Sequence, residues 1–191
     1  MSPVTTLAPQ PVAGVLERAA AGERISDDDA LELLASRDLV AVGEGARAAR
    51  ERTTDPEVVT FVIDRNVNYT NFCITDCDFC AFYRTKKQQD AYVLSYQLIG
   101  QKIEELMSIG GRRILMQGGI NPELPFDWYL GLLRYLKKTY PEVRIDAFSP
   151  EEIYGLEDLT GRNALDLLAD LKEAGLDGLP GAGGEILVDE I

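Results

Sequence analysis

Cys73, Cys77 and Cys80 are the only cysteines in this 191-residue chain, and all three fall within the stretch "NFCITDCDFCAFYR" (71–84). Three thiolates spaced C-x3-C-x2-C on one tight loop are soft donors suited to a metal or a metal–sulfur cluster. A structural zinc site wants four ligands, and the chain offers neither a fourth cysteine nor a histidine. A disulfide pairs thiols two at a time and does not persist in a reducing cytosol. A four-iron cluster ordinarily takes four cysteines, so three would leave one iron open to a substrate or cofactor. Inert core thiols and a zinc-binding interaction module are the plainer alternatives.

Composition narrows the remaining chemistry. With no histidine, the chain has no Ser-His-Asp or Cys-His pair, and any proton acceptor must be Asp, Glu, Tyr, Lys or Cys. A formal charge of −13 argues against nonspecific nucleic-acid binding, which needs a basic face. At 46% hydrophobic and 27% charged residues, one globular domain with a real core is expected. No apolar run approaches the roughly 18 residues of a membrane span. The N-terminus lacks the basic start and apolar centre of a signal peptide, so a cytoplasmic location without membrane or nucleic-acid partners is expected.

The elements that must position the cysteines fall into two zones. Residues 1–57 read as a helical cap, in three stretches: "PVAGVLERAAAG", "SDDDALELLAS" with Ser26 as N-cap, and "GEGARAARERT". From Val58 the pattern alternates. "VVTFVID" reads as a strand, followed by the cysteine loop and by "SYQLIGQKIEELMSIGG" as a helix. Then come "RRILMQGG" as a strand, "PFDWYLGLLRYLKKTYP" as a helix, "VRIDAFS" as a strand, "GRNALDLLADLKEAGL" as a helix and "DGLPGAGGEILVDEI" as the start of another unit. Alternation of this kind predicts an α/β fold with a parallel sheet. About four βα units fit into 58–191, whereas a full eight-unit barrel takes roughly 250 residues. The expectation is the N-terminal half of a barrel, either completed by a missing C-terminal half or built into a homo-oligomer. Its active site belongs at the C-terminal ends of the strands.

The cysteine spacing, with Phe79 just before the last cysteine, resembles the signature of radical S-adenosylmethionine (SAM) enzymes. "RNVNYTNFCITDCDFCAFYR", "LMQGGINPELPFDWYLGLLRYLK", "DAFSPEEI" and "AGLDGLPGAGGEILVDEI" are similar to the branch of that family that makes menaquinone through futalosine. Within the branch, "CAFYR" and "GLPGAGGEILVDE" most resemble the dehypoxanthine futalosine cyclases, while "MQGGINPELP" and "AFSP" are shared with the deazaflavin-forming synthases. The resemblance covers residues 58–191 and implies a (β/α) barrel of radical SAM type.

The resemblance also implies roles. Cys73, Cys77 and Cys80 would ligate a [4Fe–4S] cluster whose open iron takes SAM. Phe79 would lie near the adenine; Gly118 and Gly119 would let backbone approach the methionine moiety, and Gln117 before them would be a polar residue lining the cofactor site. Ser149 would line the cofactor pocket or cap the next helix, and Glu185 would accept from the ribose hydroxyls. Arg84, Asn68 and Glu151 are the substrate candidates, Arg84 because a guanidinium fork suits a benzoate-type carboxylate; Arg65 is a weaker one. Tyr83 and Asp146 are the catalytic candidates. Asp146 stands where the family pattern has histidine, a departure in the part of the site that meets substrate. The implied reaction is a cyclisation. A hydrogen leaves the ribose-like part of dehypoxanthine futalosine, the carbon radical closes on the aromatic ring, and an electron and a proton are lost. Partners would be this small molecule and a low-potential donor of flavodoxin or ferredoxin type. Aminofutalosine synthase and deazaflavin-forming synthase activities are the neighbouring readings. A non-catalytic iron–sulfur fragment is the reading of another class.

Overall fold

The computed structural model describes residues 12–75, 77, 78 and 80–182. The chain divides into two compact units, Met1–Phe61 and Val62–Ile191.

The first unit is helical, with α1 (Ala13–Ala21), α2 (Asp27–Ala35) and α3 (Leu39–Thr53). Ser26 caps α2 through a reciprocal box: the Asp29 amide donates to Ser26 Oγ, and the Ser26 amide donates to Asp29 Oδ2. Arg18 of α1 reaches the same carboxylate at 2.5 Å, tying α1 to the start of α2. The third helix is longer than "GEGARAARERT" suggests, because Asp38 caps it and Leu39–Val42 lead into it.

The second unit is α/β. Strands β1 (Asp64–Asn68), β2 (Arg113–Gln117) and β3 (Arg144–Ala147) form a parallel sheet in that order, joined by α4 (Tyr96–Ser108) and α5 (Phe126–Thr139). Two helices follow β3: α6 (Pro150–Thr160) and α7 (Ala164–Ala174). Beyond α7 the chain returns to the sheet: Gly178 makes a parallel bridge to Asp146, and the Ala147 amide donates to Gly178 O at 3.0 Å. This is an isolated bridge beside the three-stranded sheet, and the whole is a partial α/β barrel. The remainder of the expected fourth unit, 183–191, lies outside the described residues.

Two sequence expectations need correction. The β-branched run 58–63 has no strand pairing; the strand is "DRNVN" instead. β-Propensity measures fit to a half-buried pleat rather than a backbone preference. Here the pairing register sets Asp64 opposite Arg113, where β2 begins. The second concerns α6, which is not among the helices named from sequence, although Ser149 was offered as a cap for the next helix. Ser149 caps it by accepting from the Glu152 amide, and Pro150 sits in its first turn, where a missing N–H is harmless.

The core lies between the sheet and its helices. Val67, Ile114, Met116, Ile145 and Ala147 are buried from the strands, against Ile99, Ile103 and Leu106 of α4 and Leu132, Leu133 and Leu136 of α5. Strand alternation sends Asp64, Asn66 and Asn68 of β1, Arg113, Leu115 and Gln117 of β2, and Arg144 and Asp146 of β3 to the other face, the interior of a barrel. Phe148 breaks the alternation. Its φ of 66° turns the fully buried ring back to the helix side, edge-on to Tyr69 and Tyr129. Such a conformation is uncommon for a non-glycine residue, and it occurs where β3 hands over to α6.

Candidate functional site

The segment leaving β1 is held by short polar side chains. Thr70 and Asn71 are buried. Thr70 Oγ1 donates to Tyr92 O at 2.7 Å, and Asn71 Nδ2 donates to Asp90 O at 2.9 Å while Asn71 Oδ1 accepts from the Tyr92 amide. The Cys73 amide donates to Arg84 O and the Arg84 amide to Asn71 O, closing the cysteine loop at its base. Cys73 and Cys77 are half-buried and Cys80 is exposed. The Cys80 amide donates to Cys77 O at 3.0 Å, a turn that places these two residues close together. Cys73 Sγ accepts from two amides, Thr75 and Ile120, each at 3.3 Å.

The glycine turn after β2 packs against this loop. The Gly119 amide donates to Thr70 O at 3.0 Å, and the Ile74 amide donates to Ile120 O at 3.0 Å. A Cβ on Gly119 would come within 2.3 Å of Phe72 O and 2.7 Å of Cys73 Cβ. A Cβ on Gly118 would enter the Tyr69 ring at 2.5 Å. Neither position has room for a side chain, so the glycines are needed for close approach.

Asn68 and Gln117 sit side by side at the strand ends. Asn68 Nδ2 donates to Gln117 O at 3.4 Å, and Gln117 Nε2 donates to Phe148 O at 3.5 Å. Ser149 is buried and serves as the cap of α6. Tyr83 is half-buried on the cysteine loop. Arg84 is engaged within that loop: its guanidinium pairs with Asp90 at 2.6 Å and donates to Ala81 O and Tyr83 O, which leaves it a poor candidate for a substrate carboxylate. Arg65 faces the helix layer and pairs with Glu105 at 2.6 Å. Glu151 is exposed on the first turn of α6. Phe79 and Glu185 lie outside the described residues.

Asp146 is buried at mid-strand, one layer below Asn68 and Gln117. Arg113 Nε meets its Oδ2 at 2.6 Å, Arg144 Nε meets the same oxygen at 3.1 Å, and Arg113 also pairs with Asp64 at 3.3 Å. Oδ1 lies 3.0 Å from Arg144 Nη2 without hydrogen-bond geometry, a buried oxygen with no bond of its own. Burial pushes the carboxyl pKa up, but hydrogen bonds and charge from Arg144 and Arg113 outweigh it and hold the group below its ordinary value. A proton acceptor works best with a pKa near the operating pH. Asp146 is held in the opposite direction, as a fixed anion in an Asp–Arg array.

A second buried carboxyl is Glu152, the neighbour of the Glu151 singled out from sequence. It is buried, and its carboxyl is pushed up to about 7 by burial, against the pull of hydrogen bonds from Tyr69, Ser149 and the Gly118 amide. Tyr69 O–H donates to Glu152 Oε1 at 2.5 Å, and the Gly118 amide donates to the same oxygen at 3.1 Å. Burial, followed by the Glu152 charge, raises the Tyr69 phenol well above its usual range. Tyr69, Gly119, Ile120, Tyr129, Glu152 and Leu156 line one crevice there. The signal was present in helical phase. Ile153 and Leu156 mark the buried face of α6, and Glu152 falls on it while Glu151 does not.

The donor set fits a cluster with three cysteine ligands: three thiols on one loop, two amides aimed at one sulfur, and a glycine turn packed against the loop. Among the described residues no three His, Cys, Asp or Glu side chains are gathered ready to hold a metal ion. The thiols share the loop without being drawn into a closed ligand set.

Comparison with known proteins gives a consistent picture. The family model described as the radical SAM superfamily matches residues 67–181. The chain is 45% identical over 177 residues to a cyclic dehypoxanthine futalosine synthase of Halalkalibacterium halodurans, covering 93% of this chain and 48% of that protein. It is 36% identical over 185 residues to a 5-amino-6-(D-ribitylamino)uracil–L-tyrosine 4-hydroxyphenyl transferase of a Nostoc species, covering 93% and 47%. It is 41% identical over 177 residues to an FO synthase of Nocardia farcinica, covering 92% and 20%. The chain thus spans about half the length, or less, of these curated relatives. Among solved structures, the hydrogenase maturase HydG superposes with a TM-score of 0.61 at 16% identity, over 91% of this chain and 46% of that one. Methylornithine synthase superposes with a TM-score of 0.57 at 14% identity, over 85% and 56%. These two likenesses concern the fold. Among the described residues no helix is long and apolar enough to cross a membrane.

Proposed function

The chain belongs to the radical SAM superfamily, and on that premise we propose that it is the cofactor-binding half of a dehypoxanthine futalosine cyclase. Cys73, Cys77 and Cys80 hold a [4Fe–4S] cluster, and the turn Gln117–Gly118–Gly119 holds the methionine end of SAM. When bound, these groups would supply one-electron radical chemistry; the protein supplies orientation and exclusion of water. The observation that carries the reading is the contact between the two loops. The Ile120 amide donates to Cys73 Sγ, and Gly119 leaves no room for a Cβ against Phe72 and Cys73.

The other residues take roles from their placement. Thr70 and Asn71 brace the cysteine loop, and Arg84 closes it through Asp90. Asn68 and Gln117 present amides to the barrel interior at the strand ends, where a polar substrate would meet them. Asp146 fixes Arg113 and Arg144 on that face. Tyr83, Ser149, Phe79 and Glu185 remain pocket candidates. The substrate is a small molecule and the electron comes from a low-potential carrier, in the cytoplasm.

A second reading is favoured by the 36% identity to the 4-hydroxyphenyl transferase of the Nostoc species and by Asp146 standing where the resembled family pattern has histidine: transfer of a hydroxyphenyl group from tyrosine to 5-amino-6-(D-ribitylamino)uracil. The test is anaerobic reconstitution with iron and sulfide, reduction, and incubation with SAM plus either dehypoxanthine futalosine or tyrosine with 5-amino-6-(D-ribitylamino)uracil. A cyclised product supports the first reading and an arylated uracil the second. A cluster that forms without either product identifies an iron–sulfur fragment that does not turn over alone.

A further inference from the structure

Glu152 lies on the helix side of the sheet, where no cofactor or substrate role has been assigned, yet it joins the two loops on which the proposed function rests. Its single oxygen Oε1 accepts from Tyr69 O–H and from the Gly118 amide. Tyr69 is the first residue past β1 and leads into the cysteine loop; Gly118 is the first residue past β2 and opens the glycine turn. The Tyr69 ring is in turn the surface against which Gly118 has no room for a Cβ. Downstream, Gly119 bonds Thr70 and Ile120 bonds Cys73 Sγ. A carboxylate is costly to bury, and an apolar side chain would complete the packing of Ile153 and Leu156 more simply. What the carboxylate adds is one acceptor shared by both strands.

We infer that Glu152 is a positioning residue, whose shared acceptor sets the spacing between the cysteine loop and the glycine turn and thereby the affinity for SAM. The inference rests on the proposed assignment of the two loops, but its first readout does not need a cofactor. Amide hydrogen exchange in the cofactor-free chain, residue by residue, compares wild type with Glu152→Ala, Glu152→Gln and Tyr69→Phe. Glu152→Ala should speed exchange at Gly118, Gly119 and Ile120 by about tenfold, the scale of one buried hydrogen bond to a charged acceptor. Amides of Leu132, Leu133 and Leu136 should change only by the common factor that the variant's overall stability sets, against which the loop rates are compared. Glu152→Gln, which keeps the acceptor oxygen, should return these rates to within about threefold of wild type, and Tyr69→Phe should fall between.

The second readout is SAM affinity of the reconstituted chain, followed by the change SAM makes in the cluster's electron paramagnetic resonance signal. Glu152→Ala should weaken it about tenfold at equal iron content, and Glu152→Gln should restore it. The inference is overturned if Glu152→Ala leaves the Gly118 amide as protected as in wild type. It is also overturned if the loop amides of Glu152→Ala loosen no more than its core amides, or if SAM binds as tightly without the carboxylate. Should Glu152→Ala not fold, Glu152→Gln and Tyr69→Phe decide the matter by the same rates. A wild-type chain that takes up no cluster counts against the proposed function, while the exchange rates still decide whether the clamp exists.

Discussion

Replacing Glu152 by glutamine should change how stability depends on pH, in a window that no histidine can obscure. The Glu152 carboxyl moves from an ordinary value of 4.5 to about 7 on folding, chiefly through burial. The native state therefore binds this proton more tightly than the unfolded chain. Its contribution is fully present below pH 4.5 and is lost as pH rises toward 7. Each pH unit in that interval is worth about 1.4 kcal/mol, so wild type should lose about 3 kcal/mol across it through this group. Glutamine does not titrate. Glu152→Gln should match wild type near pH 4.5, show a flatter profile, and exceed it by about 2–3 kcal/mol at pH 7.5. Urea unfolding of the cofactor-free chain measures this. The fluorescence of Trp128, the only tryptophan and 5.6 Å from the Tyr69 ring centroid, reports on the same region. A wild-type profile that stays flat or rises between pH 4.5 and 7, or a variant that keeps the wild-type slope, would refute the reasoning.

Three further outcomes follow from the geometry. Gly119→Ala puts a methyl into Phe72 O and Cys73 Cβ; displacing that backbone should cost about 1–3 kcal/mol, read as a lower urea midpoint together with weaker SAM binding. Asp146→Asn leaves Arg113 and Arg144 without their shared anion. Because both arginines are partly solvated, the loss should be about 1–3 kcal/mol at pH 7, and it should shrink as pH falls below 3.8, where wild type begins to lose the same charge. In the helical unit, Asp29 is lowered to about 2, first by the Ser26 amide and then by Arg18. Its stabilising effect is present above 3.8 and lost as pH falls toward 2, so Asp29→Asn should make the helical circular dichroism signal less sensitive to acid across that interval.

The alternation of strands and helices after the cysteine loop was legible because α4, α5 and α7 keep apolar spacing, with Ser95 and Asn163 capping α4 and α7 and Gly175 ending α7. The position of β1 was not. A strand of the sequence Asp-Arg-Asn-Val-Asn carries one buried apolar residue and lines a polar interior, so hydrophobicity pointed instead to the β-branched run before it. The cysteines and glycines stood out in sequence by type and spacing, and the structure packs the glycine turn against the cysteine loop. Which charged side chains were free could not be read from sequence. Arg84 was a substrate candidate by type, and the structure engages it with Asp90, Ala81 and Tyr83; Asp146 was a catalytic candidate, and the structure sets two arginines on it. Glu151 and Glu152 are adjacent and identical in type, and only the phase of α6 separates the exposed one from the buried one.

The central claim is that Cys73, Cys77 and Cys80 carry a cluster that cleaves SAM. The direct measurement is 5′-deoxyadenosine formed by the anaerobically reconstituted, dithionite-reduced chain, with Cys77→Ala prepared in parallel. The account predicts deoxyadenosine and methionine in equal amounts from wild type and none from the variant. Absence of iron–sulfur absorbance from wild type, or deoxyadenosine formation that survives Cys77→Ala, would contradict it.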